Sequence, residues 1–102
     1  MEFATLTNDN VKDEISRIKD GIILVKKEEC PHCKNMIKVL ERFMTINPDI
    51  QLAMVDSEKE TAAMKFLEAE RVPTLVIVRN GQAVKKKGGL MNPRELQAFY
   101  NS

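Results

Sequence analysis

The chain has 102 residues, 43% hydrophobic and 30% charged, with 4 Gly, 4 Pro and 2 Cys. That length suits a single domain over residues 1–102, since two cores would each be too small to stabilise themselves, and the apolar content excludes a disordered chain. Lys+Arg at 16 against Asp+Glu at 15 leave a net charge of +1, which offers no field for nucleic acid or an anionic membrane.

The first ten residues show neither a basic stretch nor an apolar run of leader length. Apolar runs such as Ile22 to Val25 fall far short of the ~20 residues that span a bilayer. With Met at position 1, the expectation is a soluble cytoplasmic protein, and a monomer. Thr7, Asn8 and Asp9 offer N-caps for a first helix in which Val11, Ile15 and Ile18 share a face, ended by Gly21. A short strand is expected before it. Ile22 to Val25 reads as a strand buried on both faces.

A second helix opens near Cys30-Pro31, with proline in the first turn, where its missing N–H costs nothing. Its core stripe is Met36, Ile37, Leu40, Phe43 and Met44, and Asn47-Pro48 stops it. Ile50 to Val55 is the next strand. Ser57-Glu58-Lys59-Glu60 reads as a capping box for a third helix, with Ala63, Phe66 and Leu67 inward. Thr74 to Arg79 and Gln82 to Lys87 flank Asn80-Gly81, a two-residue hairpin signal. Asn92-Pro93-Arg94-Glu95 starts a last helix with cap, proline and Glu in place, packed by Leu96, Phe99 and Tyr100. The order (β)αβαβαββα predicts an α/β fold. Its central strands are parallel and its final pair antiparallel, in a mixed sheet of four to five strands flanked by four helices.

Two cysteines cannot build the multi-bridge framework of a small secreted domain, nor complete a tetrahedral zinc site alone. Their placement in Cys30-Pro31-His32-Cys33, between a buried strand and a helix, points to redox chemistry. A sulfur at a helix N-terminus meets unpaired N–H groups and the positive end of the macrodipole, which favour thiolate over thiol. His32 is expected to add a positive or hydrogen-bonding group beside it. Two cysteines in one helical turn can reach disulfide geometry. A thiolate there attacks a partner's disulfide, and the second thiol then releases the mixed disulfide.

With these motifs in view, the chain resembles the thioredoxin-fold thiol–disulfide oxidoreductases over nearly its whole length. Arg71-Val72-Pro73-Thr74 through Asn80-Gly81 is similar to the thioredoxin segment that holds a cis-proline, a strand and a hairpin. Gly88-Gly89 matches a region where that family carries a glycine near its active site. The resemblance implies that Cys30 is the exposed nucleophile and Cys33 the buried resolving thiol, with Pro73 cis and against the disulfide. It also implies that Val72 pairs with an extended substrate segment beside Thr74. Gly88 and Gly89 would then let that segment's backbone approach closely. No cofactor beyond the Cys30–Cys33 disulfide is implied. The partners are protein disulfides or dithiols, plus a recycling reductase or glutathione.

Departures from the pattern are informative. Thioredoxins carry Trp-Cys-Gly-Pro-Cys, whereas Glu29 precedes this motif and Pro-His fills it, as in bacterial periplasmic thiol oxidases. Leu24 and Leu52 stand where thioredoxins place a buried Asp and a Lys, so the usual base for the resolving cysteine is absent. Glu28 and Glu29 read as solvated loop carboxylates. Glutaredoxins share Cys-Pro-x-Cys, Val-Pro and Gly-Gly, which keeps glutathione-dependent reduction as one alternative. A redox-inactive peptide-binding module and a dimeric metal or iron–sulfur protein using Cys30 from two chains are others. A thiolate-favouring Pro-His insert predicts a potential above the ~−270 mV of thioredoxin. Lys85-Lys86-Lys87 reads as edge-strand protection and not as a nucleic-acid site. Met36, Met44, Met54 and Met64 read as packing, with Met91 a candidate for the groove. Lys26 and Lys27 are candidates for assisting thiolate formation.

Overall fold

The computed structural model of the chain describes residues 3–102. Its elements are β1 (Ala4–Leu6), α1 (Val11–Ser16), β2 (Asp20–Lys26), α2 (Pro31–Ile46), β3 (Gln51–Asp56), α3 (Thr61–Phe66), β4 (Thr74–Arg79), β5 (Gln82–Gly88) and α4 (Pro93–Asn101). The strands form one sheet in the order β1-β3-β2-β4-β5. β1, β3 and β2 run parallel, β4 runs antiparallel to β2, and β5 antiparallel to β4. The expectation of parallel central strands thus fails at β2–β4, because the six-residue α3 and the loop after it leave the chain at the end of the sheet where β2 finishes, and β4 starts there, Thr74 beside Val25. This is the thioredoxin fold. Among the described residues no helix is long and apolar enough to cross a membrane.

Successive strand residues point to opposite faces, and the apolar runs are sorted accordingly. Ile22, Leu24, Leu52, Leu75 and Ile77 face one way and pack with Met36, Leu40 and Phe43 of α2 and Leu96 and Tyr100 of α4. Ile23, Val25, Ala53, Val55, Val76 and Val78 face the other, against Val11 and Ile15 of α1 and Ala63 of α3. The run Ile22–Val25 is unbroken by polar residues because both of its faces are covered. Phe43 and Tyr100 meet edge to face, 5.5 Å between centroids, and join α2 to α4.

Local signals hold where the partners are neighbours in sequence. Asn80 and Gly81 take φ of 52° and 79° at the hairpin tip, the left-handed pair that a type I′ turn requires. Asn92 Oδ1 accepts the Glu95 N–H at 2.8 Å, and Glu95 Oε1 accepts the Asn92 N–H at 3.0 Å. Lys85-Lys86-Lys87 lies on β5, an edge of the sheet.

Elsewhere the expected ends are wrong, for tertiary reasons. α1 is capped at Asn10, not at Thr7, Asn8 or Asp9, and stops at Ser16, so Ile18 lies beyond it and Gly21 belongs to β2. No capping box forms at Ser57–Glu60. There Asp56 Oδ1 accepts the N–H groups of Glu58 and Lys59 at 3.0 and 3.1 Å, which makes a turn of the segment. α3 takes its cap from a distant loop. Asn8 Oδ1 accepts the Ala63 N–H at 2.8 Å, while Glu60 Oε1 accepts the Asn8 N–H at 3.0 Å. Phe66 points outward, 46% exposed, with the Lys12 ammonium 5.6 Å from its ring centre.

Candidate functional site

β2 delivers the chain to a short loop, and Cys30 is the N-cap of α2, with extended φ and ψ of −135° and 101° and Pro31 following in the first turn. Its sulfur accepts the Cys33 N–H at 3.1 Å, and its carbonyl accepts the Lys34 N–H at 3.1 Å. Both cysteines are free thiols. Cys30 is less open than expected, at 5% exposure against 1% for Cys33. The capping geometry turns its sulfur back over the first turn, away from solvent.

The two thiols differ sharply in acidity. Burial, the largest influence on Cys30, pushes it up. The hydrogen bond from the Cys33 thiol, the Cys33 N–H, the Lys27 charge and the His32 N–H together outweigh this and hold Cys30 below its ordinary value. Cys33 is pushed up to about 11, first by burial and then by its hydrogen bond to Cys30. His32 therefore acts through its backbone N–H. Its ring is exposed, and among the described residues no hydrogen bond ties it to either sulfur.

Facing this pair is the start of β4. The Val25–Thr74 register sets Pro73 beside the strand end from which the cysteine loop departs. The Val72–Pro73 peptide bond is cis, Pro73 is buried, and Val72 is half-buried. Thr74 is buried at 4% exposure, and its hydroxyl donates to the Arg71 carbonyl at 2.7 Å, so its side chain offers nothing to a substrate. Gly88 pairs with Thr74, and the Gly89 N–H donates to the Pro73 carbonyl at 2.9 Å. The Arg71 side chain lies over both glycines. Met91 is core and not groove, being 3% exposed with its N–H 3.4 Å from the Met36 sulfur.

Sequence reasoning missed a polar cluster beside the cysteine loop. Lys26 and Asp56, both largely buried, stand 3.8 Å apart where β2 and β3 end. Burial raises Asp56, but the N–H groups of Lys59 and Glu58 and the Lys26 charge hold it below the usual carboxylate range. Glu28 pairs with Lys59 at 2.7 Å on the surface, consistent with a solvated carboxylate. Only the register of the parallel pair could have revealed Lys26–Asp56. Leu24 and Leu52, at 0% and 5% exposure, complete an apolar floor. Among the described residues no three His, Cys, Asp or Glu side chains gather as metal ligands.

The thioredoxin family model matches residues 2–102. A protein disulfide-isomerase from Arabidopsis thaliana is 31% identical over 96% of this chain and 70% of its own length. A thioredoxin from Chlamydia trachomatis is 25% identical over 89% of this chain and 88% of its own. Among solved structures, the reduced form of desulfothioredoxin from Desulfovibrio vulgaris Hildenborough is 43% identical. It superposes with a TM-score of 0.86 over 99% of this chain and 98% of that one.

Proposed function

This chain belongs to the thioredoxin family and is a thiol–disulfide oxidoreductase, and we propose that it acts on protein disulfides through a mixed-disulfide intermediate, Cys30 attacking and Cys33 resolving. The observation that carries this division of labour is the N-cap geometry. The Cys30 sulfur accepts the Cys33 N–H at 3.1 Å, and its thiol is held low while that of Cys33 is pushed to about 11.

In this mechanism the Cys30 thiolate attacks one sulfur of the substrate disulfide, forms a new S–S bond and expels a substrate thiolate. Cys33 then loses its proton, which the expelled thiolate takes up, and attacks the Cys30 sulfur. The mixed disulfide breaks, and the second substrate thiolate leaves and is protonated from solvent. Two electrons pass from the dithiol to the substrate, so no cofactor beyond the Cys30–Cys33 disulfide is needed. Pro73 lies against the sulfurs in this reading. The Val72 backbone, which has no hydrogen-bond partner among the described residues, pairs with an extended substrate segment. A recycling reductase or glutathione restores the dithiol, and the protein works as a cytoplasmic monomer.

The test is capture. Cys33→Ser is expected to accumulate protein mixed disulfides through Cys30, visible as dithiothreitol-sensitive adducts on non-reducing gels, while Cys30→Ser captures none and does not reduce insulin. Adducts of equal abundance on both variants would reverse or remove the assigned roles.

A further inference from the structure

We propose that Arg71 is a specificity residue of the substrate groove and pairs with a carboxylate carried close to the substrate's cysteine. This rests on the Val72–Pro73 groove being the substrate groove and goes beyond it by naming the charge of what enters. A Cβ built on Gly88 would stand 2.8 Å from Arg71 Cδ and Nε and 3.0 Å from its Cγ, and one on Gly89 would stand 3.3 Å from Nη2. The two glycines are thus a seat for the arginine stem. The space expected to admit a substrate backbone is taken by this chain's own side chain.

The seat is fastened to the groove, because the Gly89 N–H holds the Pro73 carbonyl at 2.9 Å. The guanidinium at its end is exposed and unpaired. Among the described residues the ion pairs are Arg17–Glu14, Lys26–Asp56, Lys59–Glu28 and Lys86–Glu68, and none uses Arg71. It borders a cleft of about 280 Å³ also lined by Lys86 and Lys87 and by the carboxylates Glu68 and Glu70, of which Glu68 is paired with Lys86. A planar fork of five N–H donors matches a carboxylate bidentately. With its stem already packed, little side-chain freedom remains to be lost on pairing.

The test uses synthetic disulfide peptides with amidated C-termini, one carrying Glu and one Gln beside the cysteine. A third carries Gln there and ends in a free carboxylate just after the cysteine. Reduction by the wild-type dithiol is expected to favour the Glu peptide over the Gln peptide by about fivefold, less at high salt. Arg71→Ala is expected to bring that ratio to about one, Arg71→Glu to invert it and Arg71→Lys to restore part of it. Preference for the third peptide with the same dependence on Arg71 assigns the contact to a terminal carboxylate, and preference for the first assigns it to an acidic side chain. Ratios near one for both the Glu peptide and the third peptide against the Gln peptide in the wild type, or preferences that survive in Arg71→Ala, overturn the proposal. Affinities of the same peptides with Ser for Cys are measured alongside. If reduction fails altogether but the Arg71-dependent affinity ratio persists, the redox reading falls and the carboxylate contact stands.

Discussion

The ground beneath the dithiol and the ground beside it are built in opposite ways from the same two strands. Beneath lies the apolar floor of Leu24 and Leu52 with Met36 of α2, all buried. Two residues beyond Leu24, where β2 and β3 end, Lys26 faces Asp56, and next to them Lys59 pairs with Glu28. Charge reaches the sulfurs laterally, from Lys27 toward Cys30 and from Lys26 toward Cys33, and none rises from the floor. Burial and the hydrogen bond to Cys30 keep the proton on Cys33, and the Cys33 thiol and N–H, the Lys27 charge and the His32 N–H outweigh burial to hold Cys30 below its ordinary value. The asymmetry between the thiols is set first by burial and by their mutual hydrogen bond, and the lateral lysines add to it.

The largest way to break it is through the floor. Leu24→Ala removes a fully buried side chain and is expected to cost ~2–5 kcal/mol of unfolding free energy, measured by urea denaturation of the dithiol form. Smaller is the kinetic gap between the thiols. Cys33 near 11 and Cys30 below 9.0 differ by more than about a hundredfold in thiolate fraction at neutral pH. The greater intrinsic nucleophilicity of the more basic thiolate returns part of that, so alkylation of Cys30 should exceed that of Cys33 by at least about tenfold. Iodoacetamide labelling across pH, with mass-spectrometric site assignment, reads this directly. The Cys30 rate has its inflection below pH 9, while that of Cys33 is still rising at pH 10. Smallest is the lateral charge. Lys27→Ala should move the Cys30 inflection to higher pH and slow its labelling at pH 7 by about two- to threefold at low ionic strength, an effect that fades with added salt.

Features built from neighbours in sequence were legible in advance. Asn80-Gly81 fixes its own turn, Asn92 and Glu95 cap each other across three residues, and Cys30-Pro31 opens α2 because the cap and the proline need only the first turn. The Ser57–Glu60 signal failed because the two N–H groups a capping box would use go to backbone carbonyls, that of Ser57 to Lys26 and that of Glu60 to Asp56, while Asn8, 55 residues from Ala63, supplied the real cap. Phe66 and Met91 were misplaced because spacing along the chain does not reveal which face of an element a neighbour covers. Gly88 and Gly89 were expected to admit a substrate backbone, and the group that lies against them in the structure is the Arg71 side chain.

By itself, then, the sequence determined the order of elements, the antiparallel β4–β5 hairpin and the dithiol at a helix start, because backbone periodicity and short-range hydrogen bonds encode all of these. Tertiary structure alone decided how acidic each thiol is, which distant residue caps α3, and what lies over the glycines beside Pro73. Burial, charge and steric contact act through space, between groups brought together only once the sheet has set its register.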